Sequence, residues 1–186
     1  MTANSTKRTE APPVGVWSID PNHSDLRIIA RHLMMTKVRG TFAELTGTIE
    51  VAKDLADSTV EIVAQAASVH TGVADRDGHL RSPDFLDAEK YPTVVFKSTE
   101  VTPVGHRWKV TGDLTIRDIT KPVTFDVTYE GLATDPYGIQ KAAFTATGEI
   151  NREDWGLTWN LPLEGGGILV SKVFTVEFDL QAMRQV

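Results

Sequence analysis

Apolar and polar residues alternate with a period of two along most of the chain, from Trp17 to about Leu180. This period is typical of β-strands that bury one face and expose the other. The alternating runs predict eight strands, each turning a face of apolar and small residues toward a common interior. Inward positions in strand order include Leu26, Ile28, Ala30 and His32; Phe42 and Ile49; Ile62, Ala64, Ala66 and Ser68; Phe96; Trp108 and Leu114; Phe125; Phe144 and Ala146; Val176 and Phe178.

Short, turn-rich connections join these runs, and one connection is long. Eight strands joined in this way predict an all-β, up-and-down antiparallel barrel. The interior of an eight-stranded barrel holds either packed side chains or one small ligand. Small inward residues such as Ala64, Gly112 and Gly148 favour a cavity, whereas Phe96 and Phe125 favour a filled core. The alternation leaves both interpretations open.

The long connection lies between the third and fourth strands, and we expect it to contain a short helix. Ser82 is the expected N-cap of this helix and Pro83 its first residue, since both types favour those positions. Phe85 is then expected to cap the barrel or to line its entrance. The sequence therefore predicts a helical insertion at one end of the barrel.

Charged residues open the same connection at Arg76, Asp77 and His79. Arg76 and Asp77 are suited to anchor the segment through charge-assisted hydrogen bonds. Alternatively, Arg76 and His79 donate to a ligand oxygen at the entrance of a cavity. Both interpretations stay open at this point.

Other polar residues also fall near strand ends. His23 either belongs to a structural turn before the first strand or contacts the head group of a ligand. His32 is expected as a buried neutral histidine or as a ligand contact. After the seventh strand, Arg152 and Asp154 are expected to form a salt bridge, and Trp155 to pack.

A length of 186 residues is that of one domain that buries a core without disulfides. Residues 1–14 are polar and contain Pro12-Pro13, so we expect a disordered lead there. Residues 15–186 are expected to form the barrel domain. The first residues lack the apolar core of a secretory signal, and this predicts a cytoplasmic protein.

A net charge of −6 without a basic run argues against a nucleic-acid partner. With no cysteine in the chain, disulfides, thiolate metal sites and cysteine nucleophiles are excluded. No apolar run is long enough for a membrane helix, so stable membrane insertion is not expected. The chain is expected to be a monomer or a homodimer.

Enzyme motifs are missing from the sequence, including the G-x-S-x-G elbow and the H-E-x-x-H helix. The five histidines show no short metal-ligand spacing. We therefore expect no catalytic residues, no metal and no cofactor.

An ordered series of short motifs resembles the YceI-like family. It includes Asp20 with His23-Ser24, Arg31-His32-Leu33, Lys37-Val38-Arg39-Gly40, Arg76-Asp77 with His79-Leu80, Tyr91-Pro92 with Phe96, Gly112-Asp113-Leu114, and Arg152 with Trp155-Gly156-Leu157. The resemblance implies a lipocalin-like barrel that encloses a polyisoprenoid or an isoprenoid quinone for transport, storage or sequestration. It carries no catalytic residues with it.

The inward-facing positions of the strands and the motifs together define the expected ligand contacts. They are His23, Leu26, Ile28, Ala30, His32, Phe42, Ile62, Ala64, Ala66, Arg76, His79, Phe85, Phe96, Leu114, Phe125, Phe144, Ala146 and Trp155. The partner implied for them is an amphiphilic lipid with an isoprenoid tail.

Two other functions remain open. One is an enzyme acting on an apolar small molecule, with His23 or His79 and Asp77 as acid–base groups. The other is a fully packed barrel whose partner is another protein. A cavity in the structure separates the lipid carrier from the packed module.

Overall fold

Eleven β-strands and one α-helix form the fold of the computed structural model, which describes residues 11–186. The strands are β1 Gly15–Ile19, β2 Asp25–His32, β3 Thr36–Phe42, β4 Leu45–Val51, β5 Thr59–Gln65, β6 Val69–His70, β7 Thr93–Val104, β8 Arg107–Ile116, β9 Ile119–Thr134, β10 Gln140–Asn151 and β11 Val173–Arg184. The helix, α1, is Ala74–Arg81. Short 3-10 helices are Pro21–His23, Leu55–Asp57, Ala66–Ser68 and Arg152–Trp155.

Eight of these strands close into an antiparallel ring in the order β1-β4-β5-β7-β8-β9-β10-β11. The ring closes because β1 pairs with β4 on one side and with β11 on the other. In the closing register Trp17 lies opposite Arg184, and Ile19 lies opposite Ala182. The predicted eight-stranded antiparallel barrel is confirmed, as is the helical insertion between its third and fourth strands.

The other strands extend the wall at one end of the barrel. β11 pairs with β1 near its C-terminus and with β2 nearer its N-terminus, so β1 and β2 form one interrupted strand. β3 and β4 continue each other in the same way. The first interruption is the 3-10 helix Pro21–His23, where proline occupies the first turn and the Asp20 carboxylate accepts from the Asn22 backbone amide.

Two predicted element boundaries are wrong. The third strand ends at Gln65, because Ala66–Ser68 turns into a 3-10 helix in which the Ser68 hydroxyl donates to the Gln65 carbonyl at 2.7 Å. The helix does not begin at Ser82 but ends there: the Ser82 amide and hydroxyl both donate to the His79 carbonyl, at 3.1 and 2.6 Å. Its carboxylates in the first turn favour the earlier start, because they interact well with the helix dipole.

Residues 1–10 lie outside the described part of the chain, so the expected disordered lead and the domain boundary at residue 15 stay predictions. Within the described part, Pro12 is buried, and the Pro13 carbonyl accepts from the Trp17 indole at 3.1 Å.

Glycines at two inward positions are covered by aromatic rings. A Cβ at Gly112 would lie 2.6 Å from the Phe96 ring and would also meet the Lys97 carbonyl oxygen. A Cβ at Gly148 would lie 2.7 Å from the Phe125 ring. At these positions the missing side chain makes room for a ring, so the small residues do not leave empty volume there.

Gly112→Ala is expected to destabilise the barrel by about 1–3 kcal/mol, because the new methyl group meets backbone as well as a ring. Urea unfolding measures this change. Gly78→Ala is the matched control: Gly78 lies in α1 with open space around it, and alanine there should stabilise by roughly 0.5–1 kcal/mol. Equal stabilities for the two variants would contradict the close packing at Gly112.

Candidate functional site

An apolar cavity of about 510 Å³ lies inside the end of the barrel that carries β2, β3 and α1. Small-molecule sites in proteins usually measure roughly 300–1,000 Å³ and are lined mainly by apolar side chains. Here the walls are Leu26, Ile28, Ala30, Val38, Phe42, Ile62, Ala64, Val69, Leu80, Phe85, Leu86, Val94, Phe96, Leu114, Ile116, Phe125, Ile150, Leu157, Trp159, Leu169, Val170, Phe174, Val176 and Phe178, with polar residues among them. The barrel therefore contains a cavity rather than a completely filled core.

Aromatic rings separate this cavity from a smaller one of about 90 Å³ further along the barrel axis. Phe96, Phe125 and Phe178 line both cavities, together with Ile62. The rings of Phe96 and Phe125 meet edge to face at 5.3 Å, as do those of Phe125 and Phe178. We call these three phenylalanines the aromatic partition, and it ends the main cavity.

Polar residues of the main cavity come from β2 and from the segment around α1. They are Arg31, His32, Thr71, Asp75, Arg76, His79 and Arg152. Arg31, His32 and Asp75 are exposed, which places them where the cavity meets solvent. The cavity thus has a polar rim at one end and the aromatic partition at the other.

Arg76 and Asp77 anchor the start of α1, as one of the two interpretations predicts. Asp77 is buried and accepts from the Thr71 hydroxyl at 2.6 Å, the Thr71 amide at 2.8 Å and His70 Nδ1 at 3.1 Å. Burial acts to raise the pKa of Asp77, but the hydrogen bonds from Thr71 and His70 hold it below its ordinary value. Arg76 donates to the Thr71 hydroxyl from Nε, at 2.7 Å, and to the Thr71 carbonyl from Nη2.

His79 lies on the cavity wall, and its ring contacts a carboxylate and two aromatic rings. Its Nε2 is 2.8 Å from Asp84 Oδ2, and its ring packs edge-on against Phe85 and Trp159. The alternative of an enzyme uses Asp77 with His79 or His23, but Asp77 bonds Thr71 and His70 instead.

Arg152 forms a buried part of the cavity wall, and the expected salt bridge with Asp154 is wrong. Its guanidinium donates to the backbone carbonyls of Leu157, Val170 and Ser171. It also lies about 6 Å from the rings of Phe85 and Phe174. Burial lowers the pKa of Arg152, with the neighbouring Glu153 acting the opposite way. Arg152 thereby holds the loop after the seventh strand against the cavity.

Most predicted contact residues line one of the two cavities, although their contact with a ligand stays a prediction. The main cavity takes in Leu26, Ile28, Ala30, His32, Phe42, Ile62, Ala64, Arg76, His79, Phe85, Phe96, Leu114 and Phe125. Phe144 and Ala146 line the small cavity beyond the aromatic partition. His32 is exposed at the rim, so the expectation of a buried histidine is wrong.

Three predicted contacts, His23, Ala66 and Trp155, lie outside both cavities of the described chain. His23 sits on the first 3-10 helix with an exposed ring, and its Nδ1 is 2.9 Å from Asp20 Oδ2. Ala66 is buried in a 3-10 helix that breaks the inward alternation of β5. The Trp155 indole donates to the Leu114 carbonyl at 2.9 Å and is buried in the core.

Trp159 and Leu169 line the cavity although the alternating pattern does not predict it, and Val170, an inward position expected in the last strand, lines it from a loop instead. They belong to the loop between β10 and β11, which has no alternating pattern to assign its side chains to a face. The Asn160 side chain and Arg152 hold this loop by hydrogen bonds to Val170. Only the aromatic character of Trp159 in a loop signals such a contact.

Asp20 ties the end of β1 to β10 at the opposite end of the barrel. Its carboxylate accepts from Lys141 Nζ at 2.8 Å. This hydrogen bond, with those from His23 and the Asn22 amide, lowers the pKa of Asp20 to about 2, against the opposing effect of burial. A carboxyl group whose pKa is lowered by folding stabilises the fold at pH values above its ordinary pKa. This stabilisation is lost as the pH falls through the lowered pKa of the folded protein.

Asp20→Asn is therefore expected to lower the free energy of unfolding by on the order of 1–2 kcal/mol at pH 6. The difference from the unmodified protein should shrink as the pH falls from about 4 to about 2, since both forms are then neutral at this position. Urea titrations at several pH values measure it. Asp126→Asn, in an exposed pair with Lys109, is the control and should have little effect. A pH-independent difference would contradict the assignment.

The described side chains form no group of three or more His, Asp or Glu that could hold a metal ion. Likewise, α1 and the 3-10 helices of the described chain lack the length and apolar character that crossing a membrane requires.

The chain is similar to known proteins in both sequence and fold. Residues 17–182 match the family model of the YceI-like domain. UPF0312 protein SA2479 of Staphylococcus aureus is 36% identical over 170 residues, which cover 89% of this chain and 95% of that protein. The crystal structure of the Campylobacter jejuni YCEI protein is similar with a TM-score of 0.71 at 26% identity, covering 84% of this chain and 90% of that one.

A polyisoprenoid-binding domain from Saccharophagus degradans has the same fold, with a TM-score of 0.67 at 17% identity. The match covers 91% of this chain and 98% of that domain. The ordered motifs, the closed barrel and the matched residues 17–182 agree with one another, and the chain belongs to the YceI-like family.

Proposed function

We propose that this protein binds a long-chain apolar or amphiphilic lipid with an isoprenoid tail, inside the main cavity, for transport, storage or sequestration. The observation that carries the proposal is the 510 Å³ apolar cavity with its polar rim at one end. The similarity in fold to a domain that binds polyisoprenoids supports the choice of lipid class.

The volume of the cavity bounds the length of the tail. At roughly 30 Å³ per small group, the share of one water molecule in the liquid, the cavity has room for about 17 carbon groups. This corresponds to roughly three to four isoprene units of five carbons each. We propose that tails of this length fit entirely inside and that longer tails leave carbon groups outside.

Burial of the tail supplies the affinity. Each carbon group removed from water contributes roughly 0.8 kcal/mol, so a filled cavity gains about 14 kcal/mol before costs. Ordering of the tail and loss of its free motion offset much of this gain. A micromolar or tighter complex is therefore reasonable without any strong polar contact.

The polar rim suits the head group. Arg76 donates to Thr71 from Nε and Nη2, and His79 Nε2 pairs with Asp84. We propose that the other nitrogens, Nη1 of Arg76 and Nδ1 of His79, bond a ligand oxygen. Arg31 and His32 add donors from the end of β2. We propose that a hydroxyl, a quinone carbonyl or a phosphate is held at the rim while the tail points to the aromatic partition.

Native mass spectrometry of freshly purified protein, followed by organic extraction, tests the proposal. A discrete added mass that extracts as an isoprenoid lipid is the expected result. If the protein is bare, titration with farnesol, geranylgeraniol and a short-tailed quinone should produce one-to-one complexes. No uptake of any of these lipids would overturn the proposal and favour the alternative of a module that binds another protein.

A further inference from the structure

The β2–β3 hairpin is basic although the whole chain is acidic. Residues 26–43 contain Arg27, Arg31, Lys37 and Arg39 but no Asp or Glu, while the chain has 19 Lys and Arg against 25 Asp and Glu. Arg27 is neutralised by Asp25, whose carboxylate lies 2.6 Å from Arg27 Nε. The remaining three cations form a local positive patch.

The three cations lie on the outer face of the hairpin without a carboxylate partner in residues 11–186. Arg31 stands directly opposite Lys37, and Arg39 stands opposite Ile29. Like charges directly opposite each other destabilise a sheet, and all three side chains are exposed. Arg31 Nη1 donates to the Met35 carbonyl at 3.2 Å, but no ion pair offsets the repulsion between these cations in residues 11–186. Such a local cost is expected where a function requires it.

The tip of the same hairpin exposes apolar side chains. Met34 is 52% exposed and Met35 is 69% exposed. Leu33 and Met34 adopt left-handed backbone conformations, with φ of 52° and 59°, which non-glycine residues seldom adopt. Leu161 is 51% exposed and lies on the loop beside this tip. Leu169 joins the two, since its carbonyl accepts from the Leu33 amide and its amide donates to the Leu161 carbonyl.

This surface adjoins the mouth of the cavity. Arg31 and His32 line the cavity, and the turn that follows them carries the exposed methionines. Backbone hydrogen bonds hold the turn in place, from the Met35 amide to the His32 carbonyl at 3.0 Å and from the Leu33 amide to the Leu169 carbonyl at 2.8 Å. An apolar tip flanked by cations is thus fixed beside the opening.

We propose that the β2–β3 hairpin docks reversibly on an anionic lipid bilayer and so places the cavity mouth against the membrane surface. Each Lys or Arg near an anionic surface adds an electrostatic attraction, and the methionines add apolar burial in the interface. Such a contact is weak enough to release. The docking itself does not depend on the proposed function. Its use, the exchange of lipid between the cavity and a membrane, rests on that function.

Vesicle co-sedimentation tests the docking. The unmodified protein should sediment with vesicles of phosphatidylcholine containing about one third phosphatidylglycerol, and much less with phosphatidylcholine alone, since the attraction is electrostatic. Added salt should weaken the binding because it screens exposed charges. Lys37→Glu with Arg39→Glu, and separately Met34→Ser with Met35→Ser, should each reduce the bound fraction several-fold.

Matched controls separate docking from general adsorption. Lys53→Glu with Lys121→Glu makes the same change in net charge at other exposed sites. Tyr137→Ser with Ile139→Ser removes exposed apolar groups from the turn between β9 and β10, at the opposite end of the barrel. Both controls should bind vesicles as the unmodified protein does. Equal losses in the controls, or no preference for anionic vesicles, would overturn the docking surface.

The two proposals fail separately. Lipid uptake in the absence of vesicles, measured by native mass spectrometry, should be unchanged in the four hairpin and control variants. Vesicle binding without any lipid uptake would refute the proposed function and leave the docking surface standing. Lipid uptake without vesicle binding would refute the docking surface and leave the proposed function standing.

Discussion

An Ala30→Phe variant is expected to lose at least a hundredfold in lipid affinity while keeping its fold. Ala30 is half-buried on β2, lies opposite Val38, and lines the main cavity. The six added carbons take up about a third of the room available to the tail, at roughly 30 Å³ per group. Displacing the same number of ligand carbons costs about 5 kcal/mol of burial, well over the roughly 2.7 kcal/mol of a hundredfold change.

Titration with geranylgeraniol, read by native mass spectrometry, measures this loss. Ala133→Phe is the matched control, because Ala133 is exposed near the far end of β9 and the same carbons there enter no ligand site. Urea unfolding checks that both variants are folded. Unchanged stoichiometry and affinity in Ala30→Phe would show that the lipid lies elsewhere.

A Phe125→Ala variant is expected to bind longer tails than the unmodified protein. Phe125 is the central ring of the aromatic partition, in edge-to-face contact with both Phe96 and Phe178. Its removal joins the main cavity to the 90 Å³ cavity and frees the volume of six ring carbons, roughly 180 Å³. The gain is room for about two further isoprene units, so the preferred length should increase by that amount.

Competition among linear isoprenoid alcohols that differ by one unit measures the preferred length. Phe144→Ala is the matched control, because Phe144 lines only the small cavity and leaves the aromatic partition intact. Since Phe→Ala in a core costs about 3–5 kcal/mol, Phe125→Leu provides a milder version in case the alanine variant unfolds. The same length preference in all four proteins would mean that the aromatic partition does not limit the ligand.

The sequence predicts the barrel well because alternation reports directly which face of a strand is buried. Every inward position assigned on β8, from Trp108 to Leu114, is buried. The same logic fails where the backbone leaves the strand conformation. Ala66 keeps the parity of β5 in the sequence, but the 3-10 helix turns its side chain away from the cavity.

The candidate site is less predictable because contacts between distant residues decide it. The alternation along each strand places both Gly112 and Phe96 inside the barrel. Only the pairing of β7 with β8 shows that the Phe96 ring covers Gly112. Arg152 illustrates a second limit. An acidic neighbour in sequence suggests a salt bridge, whereas the loop that follows supplies three carbonyls that bind the guanidinium instead.

The closure between β1 and β11 has a consequence for how this chain folds. Arg184 bonds the Val14 carbonyl across 170 residues of sequence, and the two strands that close the ring are the first and last of the described chain. Contacts so distant in sequence slow folding, because a long loop must be ordered before they form. During synthesis the wall remains an open sheet with unpaired edges until β11 emerges. A nascent chain therefore acquires an enclosed interior only after β11 has been synthesised, so the proposed lipid can be enclosed only from that point on.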